Sequence, residues 1–140
     1  MMKMGLQIYL DGGSRGNPGP GALGVVIYDT EGNLLKEQSE FLGKTTNNVA
    51  EYTAVIRALE IAKELKAEKV IIFSDSQLVV RQLTGVYKIK TSHILQLIKV
   101  VKELERKFIK VEYTHVNREE NQVADRLVNE ELDRMLGSRK

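Results

Sequence analysis

The segment Leu6-Gln7-Ile8-Tyr9-Leu10-Asp11 alternates with period two and stops against Gly12-Gly13, the pattern of a β-strand that delivers an acid to its own end. A loop rich in glycine and proline follows over residues 12–21. Residues 22–28 form a second strand-like run, Asp29-Thr30-Glu31-Gly32-Asn33 supplies a turn, and residues 34–42 form a third run. Runs joined this closely pair as an antiparallel meander. Asn47 or Asn48 caps a helix predicted to reach about residue 66. Lys69-Val70-Ile71-Ile72-Phe73 is almost wholly apolar, which predicts a strand covered on both faces, and it too runs into an acid, at Ser74-Asp75. A short helix follows to about residue 83, and Gly85 breaks the chain. A helix over residues 92–107 carries Ile94, Leu97, Ile98, Val101 and Leu104 on one face, and a strand over 109–114 and a helix over 121–136 complete the order βββαβααβα. Strand–helix–strand units imply parallel pairing, so the expected fold class is α/β, with a five-stranded mixed sheet flanked by helices. No linker or repeat interrupts it, and residues 1–140 read as a single domain.

Composition narrows the function classes. With 42% hydrophobic and 29% charged residues, the chain has the balance of a soluble globular protein, long enough to bury a core. No apolar run approaches a membrane span, and the N-terminus lacks the charged-then-apolar pattern of a signal peptide. The absence of cysteine removes disulfides, thiolate metal sites and cysteine nucleophiles, and fits a reducing cytoplasm. Net charge is only +2, but residues 81–110 hold eight basic side chains against Glu103 and Glu105. On charge alone such a run is more often a solvated face than a polyanion-facing flank.

Four acids stand where acids are awkward. Asp11 and Asp75 end strands, and ligands of open α/β sheets bind beyond strand carboxyl ends. Singly, Asp11 reads equally as an Asx-turn and Asp75 as a helix N-cap. Glu51 heads an apolar helical stripe of Ala54, Val55, Ala58 and Leu59, a costly place for a carboxylate without cations or donors. Asp125 lies in the first turns of the last helix beside Ala124, Leu127 and Val128, where the helix dipole alone would favour it. Together they form a carboxylate cluster with no opposing arginine evident, which would repel itself unless divalent cations occupied it. Oxygen-only ligands suit Mg²⁺ or Mn²⁺ rather than zinc.

These residues are also where the chain resembles type 1 ribonuclease H. The likeness rests on Asp11-Gly12-Gly13-Ser14-Arg15-Gly16-Asn17-Pro18-Gly19, on Thr46-Asn47-Asn48-Val49-Ala50-Glu51, on Ser74-Asp75-Ser76-Gln77, and on His115 ten residues before Asp125 with Asn121 between. The resemblance implies a ribonuclease H-like fold and a metal-dependent endonuclease. Such an enzyme hydrolyses the RNA strand of RNA–DNA hybrids and leaves 3′-hydroxyl and 5′-phosphate ends. It implies Asp11, Glu51, Asp75 and Asp125 as catalytic metal ligands and His115 as a loop histidine serving product release or proton handling. Gly12, Asn17, Asn47, Asn48, Gln77 and Asn121 would lie on the substrate side, with Lys44 and Thr46 gripping a DNA-strand phosphate. Three departures from the family pattern stand out. The loop His115-Val116-Asn117-Arg118-Glu119-Glu120-Asn121 lacks glycine; Thr91 or Ser92 replaces the asparagine usual before the third helix; and the chain after Asp75 is too short for the basic protrusion of longer members. Tyr87, Lys88 and Lys90 must then serve binding, and no separate hybrid-binding domain is present.

In-line phosphodiester hydrolysis needs an activated water and a stabilised leaving oxygen, which two divalent ions provide. Asp11 is the natural bridging ligand; Glu51 and Asp75 complete one ion's shell and Asp125 the other's. Selecting RNA requires reading the 2′-hydroxyl, for which Asn48 and Gln77 offer amides. Beside a nucleic acid, the basic segment gains a use. The expected partner is an RNA–DNA hybrid, met by a monomer without an obligatory protein partner. Two alternatives remain: a non-catalytic nucleic-acid-binding module of the same fold, and a phosphatase with an aspartyl nucleophile. The latter lacks the second acid two residues after Asp11, where Gly13 stands.

Overall fold

β1 (Gly5–Ser14) is the central strand of the sheet in the computed structural model, which describes residues 4–85 and 92–137. On one side it pairs antiparallel with β2 (Gly19–Asp29), which pairs antiparallel with β3 (Leu34–Thr45). On the other side it pairs in parallel with β4 (Lys69–Ser74), and β4 pairs in parallel with β5 (Lys110–His115). The order β3-β2-β1-β4-β5 is the mixed sheet that the meander and the later crossovers imply. The helices are α1 (Asn47–Glu64), α2 (Gln77–Leu83), α3 (Ser92–Glu105) and α4 (Gln122–Leu136), with a 3₁₀ turn at Arg118–Asn121 ahead of the last.

Period-two alternation sends Leu6, Ile8 and Leu10 to one face, each at most 2% exposed. There they join Val25, Ile27, Val70 and Ile72 beneath Tyr52, Val55 and Leu59 of α1, with α3 added through Ile94, Ile98 and Val101. Each large side chain buried this way contributes about 1.5–3 kcal/mol. The opposite face is covered by α4, where Val128 and Leu132 meet Ala22 and Phe41. α4 lies against β1, β2 and β3.

That arrangement corrects one expectation. β4 is not buried on both faces: Val70 and Ile72 are buried, whereas Ile71 and Phe73 are half-buried. Phe73 instead stacks on Tyr9 at 4.5 Å between ring centroids, and Tyr9 meets Tyr28 edge-on. The helix caps also differ by one residue. Thr46, not an asparagine, accepts from Val49 N at the start of α1, and Ser76, not Asp75, accepts from Val79 N at α2. Asp75 is thereby released from capping. Tyr87, Lys88, Lys90 and Thr91 lie outside the described residues. Among the described residues no helix is long and apolar enough to cross a membrane.

Candidate metal centre

The parallel register sets the first two acids side by side. Leu10 pairs with Ser74, the last pair of the parallel β1–β4 ladder, so Asp11 and Asp75 follow side by side. Asp75 lies just past β4, whereas Asp11, expected to end its strand, stays inside β1, which runs on to Ser14 paired with β2. Neighbouring strands lie roughly 4.8 Å apart. Two glycines then let two helices approach. A Cβ on Gly12 would stand 2.3 Å from the Ala50 carbonyl oxygen, so only glycine allows α1 to bring Glu51 this close to Asp11 on β1. Asp11 pairs across β1–β2 with Gly24, whose added Cβ would stand 2.7 Å from the Ala124 oxygen and 2.8 Å from Leu127 Cβ. The second contact seats α4 with Asp125 beside Asp11.

Carboxylate oxygens of Asp11, Glu51 and Asp75 lie within 4.8 Å of one another. Asp125 lines the same cavity, of about 300 Å³, without joining that tight triad. None of the ion pairs among the described residues includes any of the four acids. The electrostatic result is a collision. Burial pushes the Asp11 carboxyl up to about 8, aided by the charges of Asp75, Asp125 and Glu51 and opposed by the Gly12 N–H, which donates to Oδ1 at 3.0 Å. Burial likewise raises Glu51 to about 7, offset in part by a hydrogen bond with Ser76 and reinforced by Asp75. Converging oxygens that cannot all be ionised together fit a hard divalent cation, which favours the charged form of each.

The remaining predicted residues distribute unevenly. Gly12 and Asn47 line the cavity with the acids. Asn47 Oδ1 accepts from Ser14 N at 2.9 Å while Asn47 N donates to Asn17 Oδ1 at 3.0 Å, tying the β1–β2 loop to the start of α1. Asn48 is half-buried, and its Oδ1 has no hydrogen-bond partner among the described residues. Gln77 is exposed in the first turn of α2, and Lys44 is exposed near the end of β3. His115 is exposed at the end of β5, in register with Ser74, and is not among the residues lining the acidic cavity. Asn121 departs from the expectation most clearly. It is 1% exposed, and its Nδ2 donates to the Leu10 carbonyl at 2.9 Å, bracing β1 from within where its pairing with β4 ends.

Two cations went unread in the sequence. Arg15 and Arg118 both line the acidic cavity. Arg118 sits in the 3₁₀ turn, which is closed by a capping box: Asn117 Oδ1 accepts from Glu120 N, and Glu120 Oε1 accepts from Asn117 N. Its signal was its position in the loop between His115 and Asp125. Arg15 reaches α4, where it pairs with Asp133 at 2.8 Å.

A family model described as reverse transcriptase-like matches residues 9–131. The chain is 40% identical over 131 residues, 93% of its length, to Bifunctional protein Rv2228c of Mycobacterium tuberculosis, of which it spans 36%. Among solved structures it is similar to RNase H1 from the halophilic archaeon Halobacterium salinarum, with a TM-score of 0.90 and 40% identity over 92% of this chain and 98% of that one. It is similar also to LC11-RNase H1 in complex with RNA/DNA hybrid, with a TM-score of 0.89 and 43% identity over 94% of this chain and 99% of that one.

Proposed function

The chain belongs to the type 1 ribonuclease H family, in its short form, and from that premise we propose that it hydrolyses the RNA strand of RNA–DNA hybrids, using two divalent ions and leaving 3′-hydroxyl and 5′-phosphate ends. The observation that carries the reading is the triad of Asp11, Glu51 and Asp75, drawn from three separate elements to within 4.8 Å. A protein gains nothing in stability from such a collision, so its use is to hold cations. Asp11, Glu51 and Asp75 would hold one Mg²⁺ or Mn²⁺, and Asp11 with Asp125 a second. When bound, such a pair supplies an activated water and stabilises the leaving oxygen.

The chain's own groups supply positioning and selection. Gly12, with no side chain, would let a sugar-phosphate backbone approach β1 beside Asp11. The amides of half-buried Asn48 and exposed Gln77 would recognise a 2′-hydroxyl, which both donates and accepts. Arg118 offers the cavity a fixed positive charge for a phosphate oxygen. His115, at the rim, would take part in release of the cut strand or in proton transfer. All four acids belong to this chain, so the cation site needs no second copy to form it.

The test is a rate comparison on one sequence presented as hybrid, single-stranded RNA, double-stranded RNA and DNA duplex, in Mg²⁺ and in EDTA. Cleavage of the hybrid's RNA strand alone, in Mg²⁺ alone, with products that a ligase accepts at their 5′-phosphates, is the expected result. Binding of hybrid without cleavage would replace the enzyme reading with the non-catalytic module.

A further inference from the structure

Asp125, Asn129 and Asp133 stand at i, i+4 and i+8 on α4, one stripe facing the β1–β2 loop. Asn129 Nδ2 donates to the Asp125 carbonyl at 3.0 Å and lies 3.4 Å from its Oδ1. The other end of the same amide, Oδ1, lies 3.4 Å from Arg15 Nη2, which is also 3.4 Å from the Asn129 carbonyl and pairs with Asp133 at 2.8 Å. The amide has only one favourable orientation here. Turned over, it would set oxygen against two acceptors and nitrogen against a guanidinium. Arg15 is placed in turn by its loop: its N–H donates to the Pro20 carbonyl at 2.8 Å, and neighbouring Ser14 is held by Asn47.

We propose that Arg15 and Asn129 are positioning residues for Asp125, with the Asp133–Arg15–Asn129 chain fixing the carboxylate that stands apart from the tight triad at the cation site. The proposal rests on Asp125 being a cation ligand, as the proposed function has it. A solvent-exposed pair such as Arg15–Asp133 adds little to stability, so its effect lies in orientation. Partners that orient a ligating carboxylate tune cation affinity by roughly ten- to a hundredfold. The chain also links Asp125 to the loop holding Asn17 and Asn47, so the fourth acid and the predicted substrate-side residues share one support.

The test is Mn²⁺ affinity of the protein without nucleic acid, measured by calorimetry and by the signal of free Mn²⁺ in electron paramagnetic resonance. Variants are Asn129→Ala, Arg15→Gln, Asp125→Asn and the double Asp125→Asn/Asn129→Ala, each with a melting curve in EDTA. Asn129→Ala replaces an exposed helical residue with the best helix former, so it is expected to fold. The expected result is about a tenfold loss of affinity in Asn129→Ala, a smaller loss in Arg15→Gln, and no further loss when Asn129→Ala is added to Asp125→Asn. Wild-type affinity in Asn129→Ala, an equal loss in the Asp125→Asn background, or no effect of Asp125→Asn itself would each overturn the proposal. The two readings fail separately. Hybrid left uncut by a protein whose affinities follow this pattern would remove the function and leave the positioning chain; hybrid cut with unmoved affinities would do the reverse.

Discussion

Asp11→Asn should make the cation-free protein more stable at pH 8, the opposite of the usual effect of changing a half-buried residue. The replacement keeps the shape and the Oδ1 acceptor for the Gly12 N–H and removes a charge from a triad whose oxygens lie within 4.8 Å. One fully charged pair at 4.8 Å repels by about 3.5 kcal/mol at an effective dielectric near 20. Asp11 with its carboxyl at about 8 is only half ionised at that pH, and its desolvation is relieved as well, so the net gain is about 2–4 kcal/mol. At an unfolding entropy of roughly 2 cal/mol/K per residue, 140 residues convert that gain to a rise of about 7–14 °C in Tm. The sign with pH follows from linkage. A carboxyl whose folded pKa is raised from 3.8 to about 8 destabilises the fold progressively as pH rises through that window. Metal-free wild type should therefore melt higher at pH 5 than at pH 8, and the advantage of Asp11→Asn should shrink as pH falls. Saturating Mg²⁺ should reverse the ranking, because only the wild type gains the full binding energy. Calorimetric melts in EDTA and in Mg²⁺ at pH 5, 6.5 and 8 decide it. A variant less stable than wild type in EDTA at pH 8, or an advantage independent of pH, would refute the collision.

Other expectations follow from single contacts. Gly24→Ala should cost about 1–3 kcal/mol, because its Cβ would meet the Ala124 oxygen at 2.7 Å, and should lower activity by lifting Asp125; a melt and a steady-state assay would both have to be unchanged to dismiss that contact. His115→Ala should slow turnover by roughly ten- to a hundredfold, and comparing single-turnover with steady-state rates shows whether chemistry or release carries the loss. Lys88→Ala and Lys90→Ala should each flatten log K against log salt by about one unit on a hybrid of any sequence, measured by anisotropy with Asp11→Asn present, while Lys63→Ala leaves the slope alone.

The order of elements along the chain was legible from local pattern, and the four acids stood out as candidates by their positions together with the motifs that resemble ribonuclease H. Period two in residues 6–10 gives the face, but Gly12-Gly13 does not end the strand: β1 continues through Asp11 to Ser14 paired with β2, and only its pairing with β4 stops at Leu10. What closes the site was not legible. Gly24 looks like an ordinary strand glycine until the Asp11–Gly24 register and the path of α4 are known. Asn121 reads as a polar loop residue, yet the 3₁₀ turn folds it inward to the Leu10 carbonyl. Arg15 reads as a loop cation, and only the approach of α4 turns it toward Asp133 and Asn129. The half-open face of β4 was hidden for the same reason. An apolar run records that a strand is covered, and an aromatic stack of Phe73 on Tyr9 covers it differently from a helix. Each of these depends on contacts between residues far apart in sequence, which composition and periodicity do not carry.

The most direct measurement is cleavage of an RNA–DNA hybrid labelled on its RNA strand, by wild type and by Asp11→Asn, across a Mg²⁺ titration. Wild type should cut only when Mg²⁺ is present, and losing the shared carboxylate should reduce the rate by at least ~10³, a few kcal/mol of transition-state stabilisation, while hybrid binding persists. Cleavage in EDTA, or an Asp11→Asn rate within tenfold of wild type, would contradict a cation site built on Asp11.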